Sequence, residues 1–300
     1  MIRYFRILAL LLMVAIASVV SSQDCSSRNV IVNAADSRGV PITNLATADF
    51  RAFYRGHPLN ISSAGFRHDP SVRTVLLLDM DESMHGVGAE GINKWKIART
   101  SALEFISAAP PQARISLSTF SSSVGRAFKS EGGRQAMEDW LNSAELAGTS
   151  SLKGKAAIYR ALSETIQDMG AIQPGDSIYI VTDGYDYTQA SEASRAASEL
   201  QSNGIRLFAF LLNDLVNASN GLPPTGGLPV NPSGGGVQPP PIIPQQLADV
   251  VRASGGMGLI WYPGGRRSNS WSIQGYDYDD TTQEAIRTAA RTIAQAITTF

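Results

Sequence analysis

The sequence predicts an α/β protein: a Rossmann-like, doubly wound, mostly parallel sheet preceded by a small β module. Three observations carry that expectation. Thr74–Leu78, Ser177–Thr182 and Ile205–Leu212 are continuous apolar runs rather than alternating ones, as strands covered on both faces are. Segments of helical period lie between them, and strand alternating with helix is the pattern of parallel crossover units. The first two runs each end in an acid, Asp79 and Asp183, where strands of such sheets deliver their ligands. With 43% apolar and 17% charged residues in a chain of 300, a sizeable core is affordable and global disorder is excluded.

The elements follow in order. Arg3 and Arg6 precede an almost wholly apolar stretch, Ile7 to Val20, and small residues Ser21 and Ser22 lead to Gln23. This is the pattern of a cleaved signal peptide over residues 1–22, and the run is short for a membrane span, which needs about 20 residues. A secreted or periplasmic protein with no span after cleavage is expected. Residues 23–71 read as the small β module. Val30-Ile31-Val32 is apolar, Asp36 to Gly39 is a turn signal, Asp49 to Tyr54 alternates as a half-buried strand, and Arg55 to Pro58 is a second turn.

Residues 72–300 read as the main domain. Trp95, Ile97, Ala98, Ala102, Phe105 and Ile106 recur at helical spacing. Ile115 to Phe120 alternates as a strand, Ser121 to Ser123 turns, and Ala156 to Met169 is helical. Glu192 to Leu200 is a further helix. Eight of the 15 prolines then fall between Pro223 and Pro244, so residues 213–244 read as a Pro/Gly-rich insertion unable to pack. Gln245 to Ala253 resumes a helix and Met257 to Tyr262 is the last strand. Asp280 to Gln283 has capping-box spacing ahead of an apolar stripe from Ala285 to Ile297.

Function classes narrow with the charges. Net charge is -1, which offers no polybasic surface, so nucleic acid is not an expected partner. The single cysteine, Cys25, excludes an internal disulfide and a cysteine-rich zinc site, and His57, His68 and His85 are not spaced as a metal cluster. What remains is acidic: Asp79-Met80-Asp81-Glu82-Ser83 after one strand and Asp183-Gly184-Tyr185-Asp186 after another. Hard oxygen donors gathered on adjacent loops suit Mg²⁺, Mn²⁺ or Ca²⁺. The alternative for each acid is a helix cap or a solvated loop.

Val75 to Asp79 with Asp81 and Ser83, then Gly154 to Leu162, then Tyr179 to Gly184, resemble in order and spacing a von Willebrand factor A domain. The segment Asp36 to Leu45 with Asp49-Phe50 resembles the β module that precedes this domain in secreted bacterial proteins of that type. The resemblance implies a non-enzymatic adhesion-type protein with a protein partner. It implies a metal-ion-dependent adhesion site in which Asp79, Asp81, Ser83 and Asp183 hold Mg²⁺, Mn²⁺ or Ca²⁺. Two positions depart from its pattern. Asp81 stands where the family has serine, and Ala156 where it has threonine, with Thr149 and Ser150 further upstream. A third carboxylate brings such a site to about -1 against a divalent ion, which disfavours an anionic ligand.

Two other readings stay open. Apolar residues followed by Asp-x-Asp-x-Ser also resemble the first motif of haloacid-dehalogenase phosphatases, implying Asp79 as nucleophile, Asp81 as acid/base, Asp183 or Asp186 on Mg²⁺, Ser118 on phosphate and Lys153 or Lys155 as cation. A metal-free structural scaffold is the other.

Overall fold

The computed structural model describes residues 30, 32, 34, 42, 44–65, 69–85, 94–128, 133–143, 154–188, 190–212, 244–261, 272–273 and 280–298. All elements below lie in the unit Val32–Phe300.

Strand β3 (Arg73–Asp79) runs at the centre of a seven-stranded sheet, flanked by β4 (Arg114–Phe120) on one side and β6 (Ser177–Thr182) on the other. The order is β5-β4-β3-β6-β7-β8-β9, where β5 is Val124–Phe128, β7 Arg206–Leu212, β8 Gly258–Trp261 and β9 Ser272–Ile273. Every pairing is parallel except β4 with β5. The chain leaves β3 toward β4 and returns to the opposite side of β3 at β6. The reversal places a crevice between the carboxyl ends of β3 and β6.

The side chains of the central strands divide by parity. Leu76, Leu78, Tyr179, Val181, Phe208, Phe210 and Leu212 face one way, onto α1 (Lys94–Ala108), α2 (Gly133–Ser143) and α6 (Asp280–Ala296). Leu77, Ile178, Ile180, Leu207, Ala209 and Leu211 face the other, onto α3 (Ile158–Met169), α4 (Ala190–Asn203) and α5 (Pro244–Ala253). Almost all of these are fully buried, at roughly 1.5–3 kcal/mol each. This is why the runs are continuous rather than alternating. All six of the apolar positions expected on the Trp95–Ile106 helix are buried. The α1 helix is further pinned by the Ser101 hydroxyl, 2.7 Å from the Tyr179 hydroxyl, and by Phe105 packed on the Tyr179 ring at 4.7 Å between centroids. Arg206, buried at the start of β7, donates to the carbonyls of Ala296 at 3.2 Å and Ile297 at 2.5 Å. It thereby satisfies the carbonyl end of α6. Burial lowers its pKa to about 10.

Four expectations are corrected. The sheet continues past Trp261: Ser272–Ile273 pairs parallel with β8, and a two-residue strand is too short to show as an apolar run. β5 and α2 are additions to the expected elements, although Met137, Trp140 and Leu141 recur at helical spacing in α2. In the β module, Asp49–Tyr54 is not one half-buried strand. Thr47–Asp49 is a 3₁₀ turn closed by Asp49 Oδ2 accepting from the Ala46 N–H at 2.7 Å. Strand pairing is confined to Ala52–Tyr54 (β1), paired with His57–Leu59 (β2), and Phe53, Tyr54 and Leu59 are exposed. The turn is Arg55-Gly56, both at positive φ, so His57 and Pro58 belong to β2. The segments 35–40 and 213–243 lie outside the described residues.

Candidate functional site

Asp79 ends β3 and points into the crevice, fully buried. Its Oδ2 accepts the Thr182 hydroxyl at 2.6 Å and its Oδ1 the Asp81 N–H at 3.0 Å. The second link is an Asx turn. It reverses the chain so that Asp81, also buried, faces the same way. Asp81 in turn organises the 3₁₀ turn Glu82–His85: its Oδ1 accepts from the Ser83 N–H at 2.9 Å and the Met84 N–H at 3.2 Å. Its Oδ2 accepts the Ala156 N–H at 3.2 Å, which ties the loop after β3 to the loop before α3.

Asp183 follows β6. Gly184, at φ 83, turns the chain so that its N–H donates to Thr182 Oγ1 at 3.0 Å, and Asp183 Oδ1 accepts the Tyr185 N–H at 3.2 Å. A side chain at Gly184 would disfavour that backbone. The Ser83 Oγ bridges the two loops, 2.5 Å from Asp81 Oδ1 and 2.6 Å from Asp183 Oδ2. One hydroxyl has one proton to donate, so both contacts are satisfied together only when a carboxyl supplies a second proton. Burial, with the charge of Asp183 beside it, pushes the Asp81 carboxyl up to about 6. Burial first, then the Asp81 and Asp183 charges, raises Asp79 well above the usual carboxylate range.

A residue that sequence reasoning missed completes the cluster. Lys94, the first residue of α1, is buried, and its Nζ donates to Asp183 Oδ2 at 2.9 Å. Its signal was present: a lysine in the first turn of a helix works against the macrodipole, and here it directly precedes the buried Trp95.

The expected residues Asp79, Asp81, Ser83 and Asp183 are thus drawn together. As arranged, the donor set does not fit a divalent ion. Each of the six oxygens of Asp79, Asp81 and Asp183 already accepts a hydrogen bond, one of them from an ammonium. Among the described residues no group of three or more acids, histidines or cysteines is disposed to hold a metal. Ala156 offers no hydroxyl, and its N–H points at Asp81.

The other acids act elsewhere. Asp186 caps α3: its Oδ2 accepts the Tyr159 N–H at 3.1 Å, and its Oδ1 accepts the Thr188 N–H at 2.6 Å and the Thr188 hydroxyl. Glu82 is exposed, outside the cluster. Ser118 lies two residues inside β4, opposite Leu77, rather than at the strand end. Lys153, Thr149 and Ser150, and the side chain of His85, lie outside the described residues. Asp79 is fully buried with a hydrogen bond on each oxygen, so an incoming phosphoryl group has no open approach to it.

Beside the cluster a cavity of about 210 Å³ opens among Ser122, Lys155, Ala156, Arg160, Tyr187 and Thr188. The Lys155 ammonium lies 4.9 Å from the Tyr187 ring centroid, within cation–π range. The Arg160 guanidinium is 3.7 Å from Glu192.

Comparison with known proteins adds the following. The family model for the von Willebrand factor type A domain matches residues 75–220. No curated protein matches the chain in sequence. Among solved structures, the chain is similar to a von Willebrand factor type A protein from Catenulispora acidiphila, at 12% identity and a TM-score of 0.47 over 75% of this chain and 42% of that one. It is similar to an aerotolerance-related membrane protein from Bacteroides fragilis, at 17% identity and a TM-score of 0.46 over 75% and 98%. The protein BatB from Bacteroides thetaiotaomicron aligns at 16% identity and a TM-score of 0.44 over 75% and 99%. The match therefore spans less than half of the Catenulispora chain and nearly all of the two Bacteroides chains.

Proposed function

From the match of residues 75–220 to the von Willebrand factor type A domain, we propose that the protein is a non-enzymatic binding protein that contacts a protein partner through the loops at the carboxyl ends of β3, β4 and β6. The type A domain supports a protein-interaction role in general. The observation that carries the specific reading is the cavity beside the acid cluster. It offers the Lys155 ammonium and the Arg160 guanidinium, the latter already beside Glu192, with the hydroxyls of Ser122 and Tyr187. Charge-assisted hydrogen bonds from such a set suit a carboxylate side chain of a partner. The buried cluster holds the surrounding loops at fixed spacing, which lowers the ordering cost of binding.

The N-terminal pattern supports secretion or a periplasmic address. No helix among the described residues is long and apolar enough to cross a membrane. A mature N-terminus at Gln23 in protein recovered from the expressing organism would match that address, and an intact Met1 would contradict it.

The contact is tested by crosslinking wild type and a Lys155→Glu/Arg160→Glu variant in an extract of the source organism, followed by mass spectrometry. A partner crosslinked through acidic residues in wild type and lost in the variant is expected. An unchanged set of crosslinks would move the contact to another surface. The phosphatase reading has its own control: hydrolysis of aryl phosphates abolished by Asp79→Asn would displace the binding role, and no hydrolysis is expected.

A further inference from the structure

We infer that Lys94 is the permanent cation of the acid cluster, balancing charge from within the chain and closing Asp79, Asp81 and Asp183 to divalent metal. The inference goes beyond the proposed partner contact and stands on the cluster alone.

Four observations converge. The Lys94 side chain is 6% exposed and that of Asp183 0% exposed, with 2.9 Å between Nζ and Oδ2. An ammonium removed from water to this degree persists only where opposite charge compensates it. Asp81 supplies a carboxylate where the resemblance expects a neutral serine, so the added anion and the Lys94 ammonium occur together in one cluster. Ala156 supplies a backbone N–H to Asp81 Oδ2, at 3.2 Å, where the resemblance expects a donor oxygen. A cation in the place of that proton would meet a positive hydrogen. Finally, Asp183 Oδ2 already receives Ser83 Oγ at 2.6 Å as well as Lys94. A metal ion entering on this oxygen must displace a cation tethered to α1, whose position is fixed further along by the Ser101–Tyr179 bond.

The partner contact of this face is then independent of divalent ions. The result separates from that of the crosslinking experiment, because metal binding is measured without a partner.

The test is calorimetric titration of the EDTA-stripped, purified chain with Mg²⁺, Mn²⁺ and Ca²⁺, beside Lys94→Ala and Lys94→Ala/Asp183→Ala. Wild type is expected to give no saturable heat and an unchanged melting temperature. Lys94→Ala is expected to take up one equivalent of Mn²⁺ and to melt higher with it, and the double variant to lose that uptake. Saturable binding by wild type that Asp79→Ala abolishes would overturn the inference. So would a folded Lys94→Ala that binds no ion. Should Lys94→Ala fail to fold, the pair is read through Lys94→Met and Lys94→Met/Asp183→Asn. The single variant is expected to melt about 10 °C below wild type and the charge-matched double variant to recover most of that loss. A single variant that melts like wild type overturns the pairing, as does a double variant that recovers nothing.

Discussion

The two ends of the parallel sheet bury opposite kinds of charge arrangement. At the amino ends, Arg73 opens β3 and meets Asp176, just ahead of β6, with Nε 2.9 Å from Oδ1 and Nη2 on Oδ2. The remaining donors are spent on the carbonyls of Met169 at 3.1 Å and Ala171 at 2.7 Å, and the Gln173 N–H donates to Asp176 at 2.7 Å. One cation faces one anion with matched donors and acceptors, and the hydrogen bonds to Asp176 raise the Arg73 pKa. At the carboxyl ends, among the described residues, three carboxyl groups face one lysine, and two of those carboxyls are pushed upward in pKa. The first arrangement holds helix, loop and strands together. The second holds excess negative charge out of water, at a cost in stability that packing alone does not require. A cost of that kind concentrated at a switch-point crevice is what the proposed partner-binding face would carry.

The contrast is broken most strongly by Lys94→Met. Removing the ammonium that pairs with the buried Asp183 carboxylate is expected to cost about 3–5 kcal/mol, read as a lower urea midpoint at unchanged slope. Asp176→Ala comes next. It strands Arg73, whose side chain is 23% exposed and so partly rescued by water, at about 2–3 kcal/mol. An effect as large as that of Lys94→Met would mean that the two ends do not differ in kind.

An effect of similar size is expected from pH. The Asp81 carboxyl titrates at about 6 in the folded chain, against about 3.9 unfolded. The folded state therefore holds this proton more tightly. The stability it contributes is complete below about pH 3.9 and lost as pH rises through about 6. Between those values the urea midpoint of wild type is expected to fall relative to Asp81→Asn, which has no such group. Parallel profiles for the two proteins would remove the charge-crowding account of this end.

The smallest effect is expected for Ala156→Thr. The position is 1% exposed, so the added atoms cost about 1–2 kcal/mol in overpacking. The hydroxyl alone is not expected to confer Mn²⁺ uptake while Lys94 remains, a point that the same titration checks.

Much of this molecule was legible in its amino-acid order. The buried runs at β3, β6 and β7 and the helical stripes on α1, α3 and α6 were readable because each periodicity reports a local face. Asp79, Asp81, Ser83 and Asp183 were readable as a group because each follows a strand end, and strand ends in a doubly wound sheet converge. β9 was not readable, since two residues carry no pattern, and neither was the edge hairpin partner β5. The role of Asp186 as the cap of α3 was visible only as one of two alternatives.

By itself the sequence determined the layer architecture, through apolar period, and the presence of an acid-rich crevice, through the placement of aspartates after two central strands. What only the tertiary structure decided is the sign of balance in that crevice. Lys94 lies 89 residues before Asp183. No local rule relates a helix's first residue to a loop so distant in the chain. Only the docking of α1 on the sheet, through the Tyr179 contacts, brings the ammonium onto the carboxylate and turns a set of metal-ligand side chains into an ion-paired cluster.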